Sequence, residues 1–196
     1  MSIKFMSGVE FERKDRRKDE REDRSNDDEL IPPVSRKTWA SLRREILKVP
    51  GSDDHLVATY LEEIGTVNPL VVEYIKGVAE RSPEGRDSAC VAMAGVLVYK
   101  LLELEFAQRG KKMPIVERKI LDSFKVDPDQ EESYFLELAN SLFRENYELL
   151  RAFYTFWLNV DISNKLIPVS ALGVYYLIEA QAKADSRDGQ IERPIV

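Results

Sequence analysis

After residue 30, apolar positions recur every three or four residues along most of the chain, and that spacing predicts helices throughout. One stretch, 82–110, organises the others. Between Ala89 and Leu102 its only charge is Lys100, so it has no polar face wide enough for a surface helix and must be wrapped by neighbours. Ser82 followed by Pro83 gives a cap and a first helical position, and Gly110 gives the left-handed residue that commonly ends a helix.

The flanking segments carry their own start and stop signals. Ser35 reads as the cap of a helix whose stripe is Trp39, Leu42, Ile46 and Leu47, with Val34 and Trp39 spaced as a hydrophobic staple and Pro50-Gly51 as the end. Ser52 or Asp53 begins a second helix through Leu56, Val57, Tyr60, Leu61 and Ile64, with Gly65 as its stop. Asn68-Pro69 then caps and opens a third, with Leu70, Val71, Tyr74, Ile75 and Val78 inward. Beyond Gly110, a basic connector leads into a short helix over 115–124, with Ile115, Val116, Ile120, Leu121 and Phe124 facing the core. Asp127-Pro128 with Gln130 opens a long helix to about residue 159, and Ser170 caps a last helix ending near Ala184. Leu30-Ile31-Pro32-Pro33-Val34-Ser35 and Leu166-Ile167-Pro168-Val169-Ser170 look alike, each setting an apolar residue ahead of a serine cap. The fold class expected is all-α: one helical-bundle-like domain over 30–184, six or seven helices around 82–110. A disordered charged tail over 1–29 precedes it and a loose tail over 185–196 follows.

Charge changes this picture mainly at the N-terminus. The chain of 196 residues is 43% hydrophobic and 33% charged, and much of the charge excess lies in the first thirty residues, with eight basic and ten acidic side chains. That near balance makes the tail a polyampholyte and not a basic arm. A net charge of −6 argues against nucleic acid or an anionic membrane as partner. MSIKFMSGVEF has no long apolar core of the kind a signal peptide needs, and the charge-free run 89–99 falls short of the ~20 residues of a membrane span. A single cysteine fits a reducing compartment, so the expected location is cytoplasmic, with no membrane contact.

Motifs that carry chemistry are sparse. Gly110-Lys111-Lys112 is no phosphate loop, and the sequence has neither a nucleophile elbow nor paired cysteines. The single histidine, His55, has no glutamate three residues before it, and in Asp53-Asp54-His55 three adjacent side chains fan around a helix instead of converging on a cation. Cys90 sits in the apolar centre of 82–110, where a thiol behaves as a small hydrophobe. No catalytic residue, metal ligand or cofactor is expected. The leading reading is a non-enzymatic protein–protein interaction module, an adaptor or regulator that associates with itself as a homodimer. Eight of eighteen aromatics fall within 134–157, which points to an interface at Tyr154, Phe156 and Trp157 met by Tyr175 and Tyr176 of the last helix. One alternative is a DNA-associated regulator using a helix-turn-helix-like pair over 56–81, although its second helix offers Glu73, Lys76 and Glu80 where basic and amide side chains would serve. A further alternative is a helical-bundle enzyme or ligand-binding protein with a site lined by carboxylates such as Glu103, Glu137 and Glu179.

Overall fold

Six helices run through the computed structural model, which describes residues 30–46, 53–82, 86–124 and 166–191: α1 (Arg36–Ile46), α2 (Asp53–Val67), α3 (Pro69–Ala79), α4 (Arg86–Gln108), α5 (Arg118–Ser123) and α6 (Leu166–Ile191). The described residues contain no strand, and the fold is all-α as the patterning indicates. The tail over 1–29, the helix expected from Asp127 to about 159 and residues 192–196 lie outside them.

The unpolarised stretch of sequence becomes the centre. From Val91 to Tyr99 every residue of α4 is buried, and the helix packs against α1, α2, α3 and most extensively α6. Each enclosed Val, Leu or Ile in this core contributes about 1.5–3 kcal/mol relative to exposure. Close approach is possible because α4 carries Gly95 where three helices meet. A Cβ there would lie 2.6 Å from the Ser170 hydroxyl of α6 and 2.9 Å from Cγ1 of Ile75 on α3. The Tyr74 hydroxyl of α3 reaches into the notch left by Gly173 of α6 and donates to the Val169 carbonyl at 3.0 Å.

Helix ends follow the predicted signals at some places and depart from them at others. Ser35 caps α1, its Oγ accepting the Thr38 N–H at 3.2 Å. Gly110, at φ 65°, closes α4: its N–H donates to Ala107 at 3.1 Å and that of Lys111 to Phe106 at 2.9 Å, the paired bonds of a Schellman ending. Gly65 does not stop α2, which continues to Val67. The break comes at Asn68, where the following proline disfavours helical backbone, and Asn68 sits at φ −139°, ψ 67°. Ile115 is outward and not inward, because 111–117 is extended and α5 begins only at Arg118. Ser170 is no cap: α6 starts at Leu166, and Pro168 falls in its first turn, where a missing N–H leaves no bond unmade. At the other end α6 runs to Ile191, past the expected stop near Ala184, supported by Gln181 donating to Asp185 at 2.7 Å across one turn.

Candidate functional site

Two polar clusters and one clamp line the flank of α4. The first cluster joins α4 to α2. The Lys100 ammonium lies 2.9 Å from both Glu63 and Glu103 and 5.3 Å from the centroid of the Tyr60 ring. Burial pulls this ammonium's pKa down, but the hydrogen bonds and charges of Glu103 and Glu63 outweigh it, so Lys100 titrates above the ordinary lysine value. Its neighbour Tyr99 is enclosed, and burial, with the nearby Glu103 charge, pushes the phenol up to about 12. With its one ammonium set between two carboxylates, Glu63 on α2 and Glu103 on α4, the cluster ties the two helices together.

The second cluster lies where α4 meets the start of α1. Glu105 is buried, and its Oε2 accepts the Ser35 N–H at 3.0 Å together with the Thr38 hydroxyl. The Gln108 amide donates to Thr38 Oγ1 at 3.0 Å, and Arg109 stands 3.7 Å from the other Glu105 oxygen.

The clamp fixes the extended connector between α4 and α5. Asn68, fully enclosed at the α2–α3 joint, donates from Nδ2 to the Pro114 carbonyl at 2.9 Å and accepts the Val116 N–H at 3.1 Å, as a neighbouring strand would. Farther along, buried Gln181 of α6 accepts the Glu117 N–H at 2.9 Å. These bonds fasten the backbone of 114–117 to the α2–α3 joint and to α6, and of residues 115–117 only Val116 is buried. Val67 and Ile115, on either side of the clamp, stand 48% and 58% exposed, two of the three exposed large apolar side chains among the described residues.

The residues selected from sequence fall elsewhere. Tyr154, Phe156 and Trp157 lie outside the described residues. Tyr175 is buried and Tyr176 half-buried, their rings edge to face at 5.3 Å. Of the three carboxylates named for a ligand site, Glu103 is engaged by Lys100, Glu179 by Lys183 at 2.8 Å, and Glu137 is outside the described residues. Helices α2 and α3 are joined by Asn68 alone, where a helix-turn-helix usually has three or four residues, and Glu73 on α3 is held in a two-pronged pair by Arg118 at 2.6 and 2.8 Å. That bond keeps the Glu73 carboxyl below its usual range. Among the described residues, no group of three or more His, Cys, Asp or Glu could hold a metal ion, and no helix is long and apolar enough to cross a membrane. His55 is exposed and Cys90 half-buried.

Asn68 as a clamp, Gln181 and Glu105 went unread in the sequence. A signal existed for Glu105: it follows Val98, Leu101 and Leu102 at seven, four and three residues, on a face those residues bury. No signal existed for the two carboxamides, whose partners are backbone groups distant in sequence. No family model, curated protein or solved structure matches this chain.

Proposed function

We propose that the chain is a non-catalytic protein-interaction module, an adaptor or regulator of the cytoplasm that also binds a second copy of itself. The observation that supports this reading is the corner at the Asn68 clamp, where exposed Val67 precedes Asn68 in the chain and exposed Ile115 lies between the two groups that Asn68 bonds. Asn68 holds the backbone on both sides of Ile115, and Val67 ends α2 immediately before Asn68. Apolar groups held on fixed backbone associate with little ordering cost. The charges around the corner are paired locally, as Arg118 is with Glu73 and Lys119 with Glu117, so they set orientation at the rim more than affinity. One cysteine in 196 residues accords with a reducing compartment.

The test is light scattering coupled to size exclusion, on the wild type and on Val67→Glu/Ile115→Glu. The expected result is a dimer at micromolar concentration that the double variant converts to monomer, with its helical circular dichroism and thermal midpoint retained because both positions are exposed. A dimer that survives the charges would move the interface away from this corner, towards Tyr154, Phe156 and Trp157. A wild-type monomer at every concentration would exclude the homodimer.

A further inference from the structure

Helix α1 is held differently from the other long helices. It is 11 residues long, a length at which an isolated helix is marginal in water. Of residues 36–42, only Thr38 and Leu42 are enclosed and Trp39 is half-buried, while Arg36, Lys37, Ala40 and Ser41 face solvent. Its helicity therefore depends on being docked. Hydrogen bonds to the end of α4 dock its first turn and lead-in: from the Ser35 N–H and the Thr38 hydroxyl to Glu105, from Gln108 to Thr38, and from Arg109 to the Pro33 carbonyl at 3.4 Å. These bonds end within residues 105–109, the last turn of α4 and the residue after it.

Capping and docking are the same interaction here. In a capping box, the acid that receives the cap residue's N–H stands three residues on in the same helix. That position in α1 is Thr38, and the acid comes from α4 instead, 70 residues away in the chain. When α1 leaves α4 it keeps the local Ser35–Thr38 bond but loses the acid that completes the cap, so a helix of 11 residues, marginal on its own, does not persist undocked. Glu105, for its part, passes from burial into water beside Arg109, which leaves no charge stranded in the core. The cost of opening lies instead in Ile31, Val34 and Leu42, whose side chains are buried in the core.

We propose that residues 30–46 form a strap that undocks from α4 and unwinds as one unit while α2, α3, α4 and α6 stay folded, with Glu105 as the positioning residue that sets how much of the time it is closed. The experiment is hydrogen exchange with mass spectrometry on the full chain, comparing wild type, Glu105→Gln and Thr38→Val. In the wild type, amides of α1 exchange at least about tenfold faster than those of Val91–Tyr99, as expected of the less stable part of a fold. Glu105→Gln keeps the shape but removes the charge from the bonds to Ser35 and Thr38, and lowers α1 protection by a further factor of about ten or more. Thr38→Val acts in the same direction. Protection over Val91–Tyr99 and 169–178 is unchanged in both variants. A parallel loss across α1, α4 and α6 would show one cooperative unit and overturn the strap, as would a Glu105→Gln chain that does not fold. Unchanged α1 protection in Glu105→Gln would remove Glu105 from the role.

Discussion

Three glycines on packed helices respond in opposite ways to a single methyl group. Around Gly77 on α3 nothing lies within 4 Å of where a Cβ would stand, so Gly77→Ala gains helix propensity unopposed. It should stabilise by about 0.5–1 kcal/mol and raise the thermal midpoint by roughly 2–4 °C, read by calorimetry. Gly95→Ala must displace Ser170 or Ile75 and should cost about 1–3 kcal/mol in urea unfolding, with Gly95→Leu costing more. Gly173→Ala meets the ring of Tyr74, so its cost should shrink in a Tyr74→Leu background, a coupling that a double-mutant cycle measures. The need for a small residue at Gly95 is legible in the sequence, since it sits amid large apolar neighbours. The identity of what crowds it is not, because Ser170 and Ile75 arrive from other helices.

Helix boundaries show what local grammar can and cannot carry. Ser35 and Ser170 follow nearly the same residues, yet one caps and the other is buried in the helix interior with its hydroxyl unpartnered. The difference lies in the prolines: Pro33 stands outside α1, whereas Pro168 fits within the first turn of α6 and lets that helix begin upstream. A stronger signal for α6 was composition, since 166–178 contains no charge at all, as expected of a helix enclosed on most sides. The non-helical course of 111–117 is not legible in its own residues, because Asn68 and Gln181 hold its backbone from other parts of the chain. Asn68→Ala would strand the Pro114 carbonyl and the Val116 N–H and should cost about 2–4 kcal/mol in chemical denaturation. Faster exchange at the Val116 amide should accompany it.

Across the whole molecule, the tie between α2 and α4 sets an alkaline limit. Tyr99 favours its neutral form in the fold, with a pKa near about 12 against an unfolded value of about 10. The stability this represents is complete below pH 10 and is lost as pH rises towards 12, while the raised pKa of Lys100 acts in the same sense above its ordinary value. Urea unfolding free energies should therefore fall over that interval. Tyr99→Phe should flatten the fall by about one proton, roughly 1.4 kcal/mol per pH unit. An unaltered slope in that variant would remove Tyr99 as the cause. The all-α class and the central place of α4 were legible because burial on every side leaves its mark on one segment's own composition. The surface proposed for association was not, since Val67 and Ile115 come to flank one clamp only after folding. The junction at Gly173 has a mechanical meaning as well. With the Tyr74 ring seated in that notch, the register of α6 along its own axis is keyed to α3, since a shift of one turn in either direction would bring Val169 or Leu177 to the place where only a glycine leaves room for the ring.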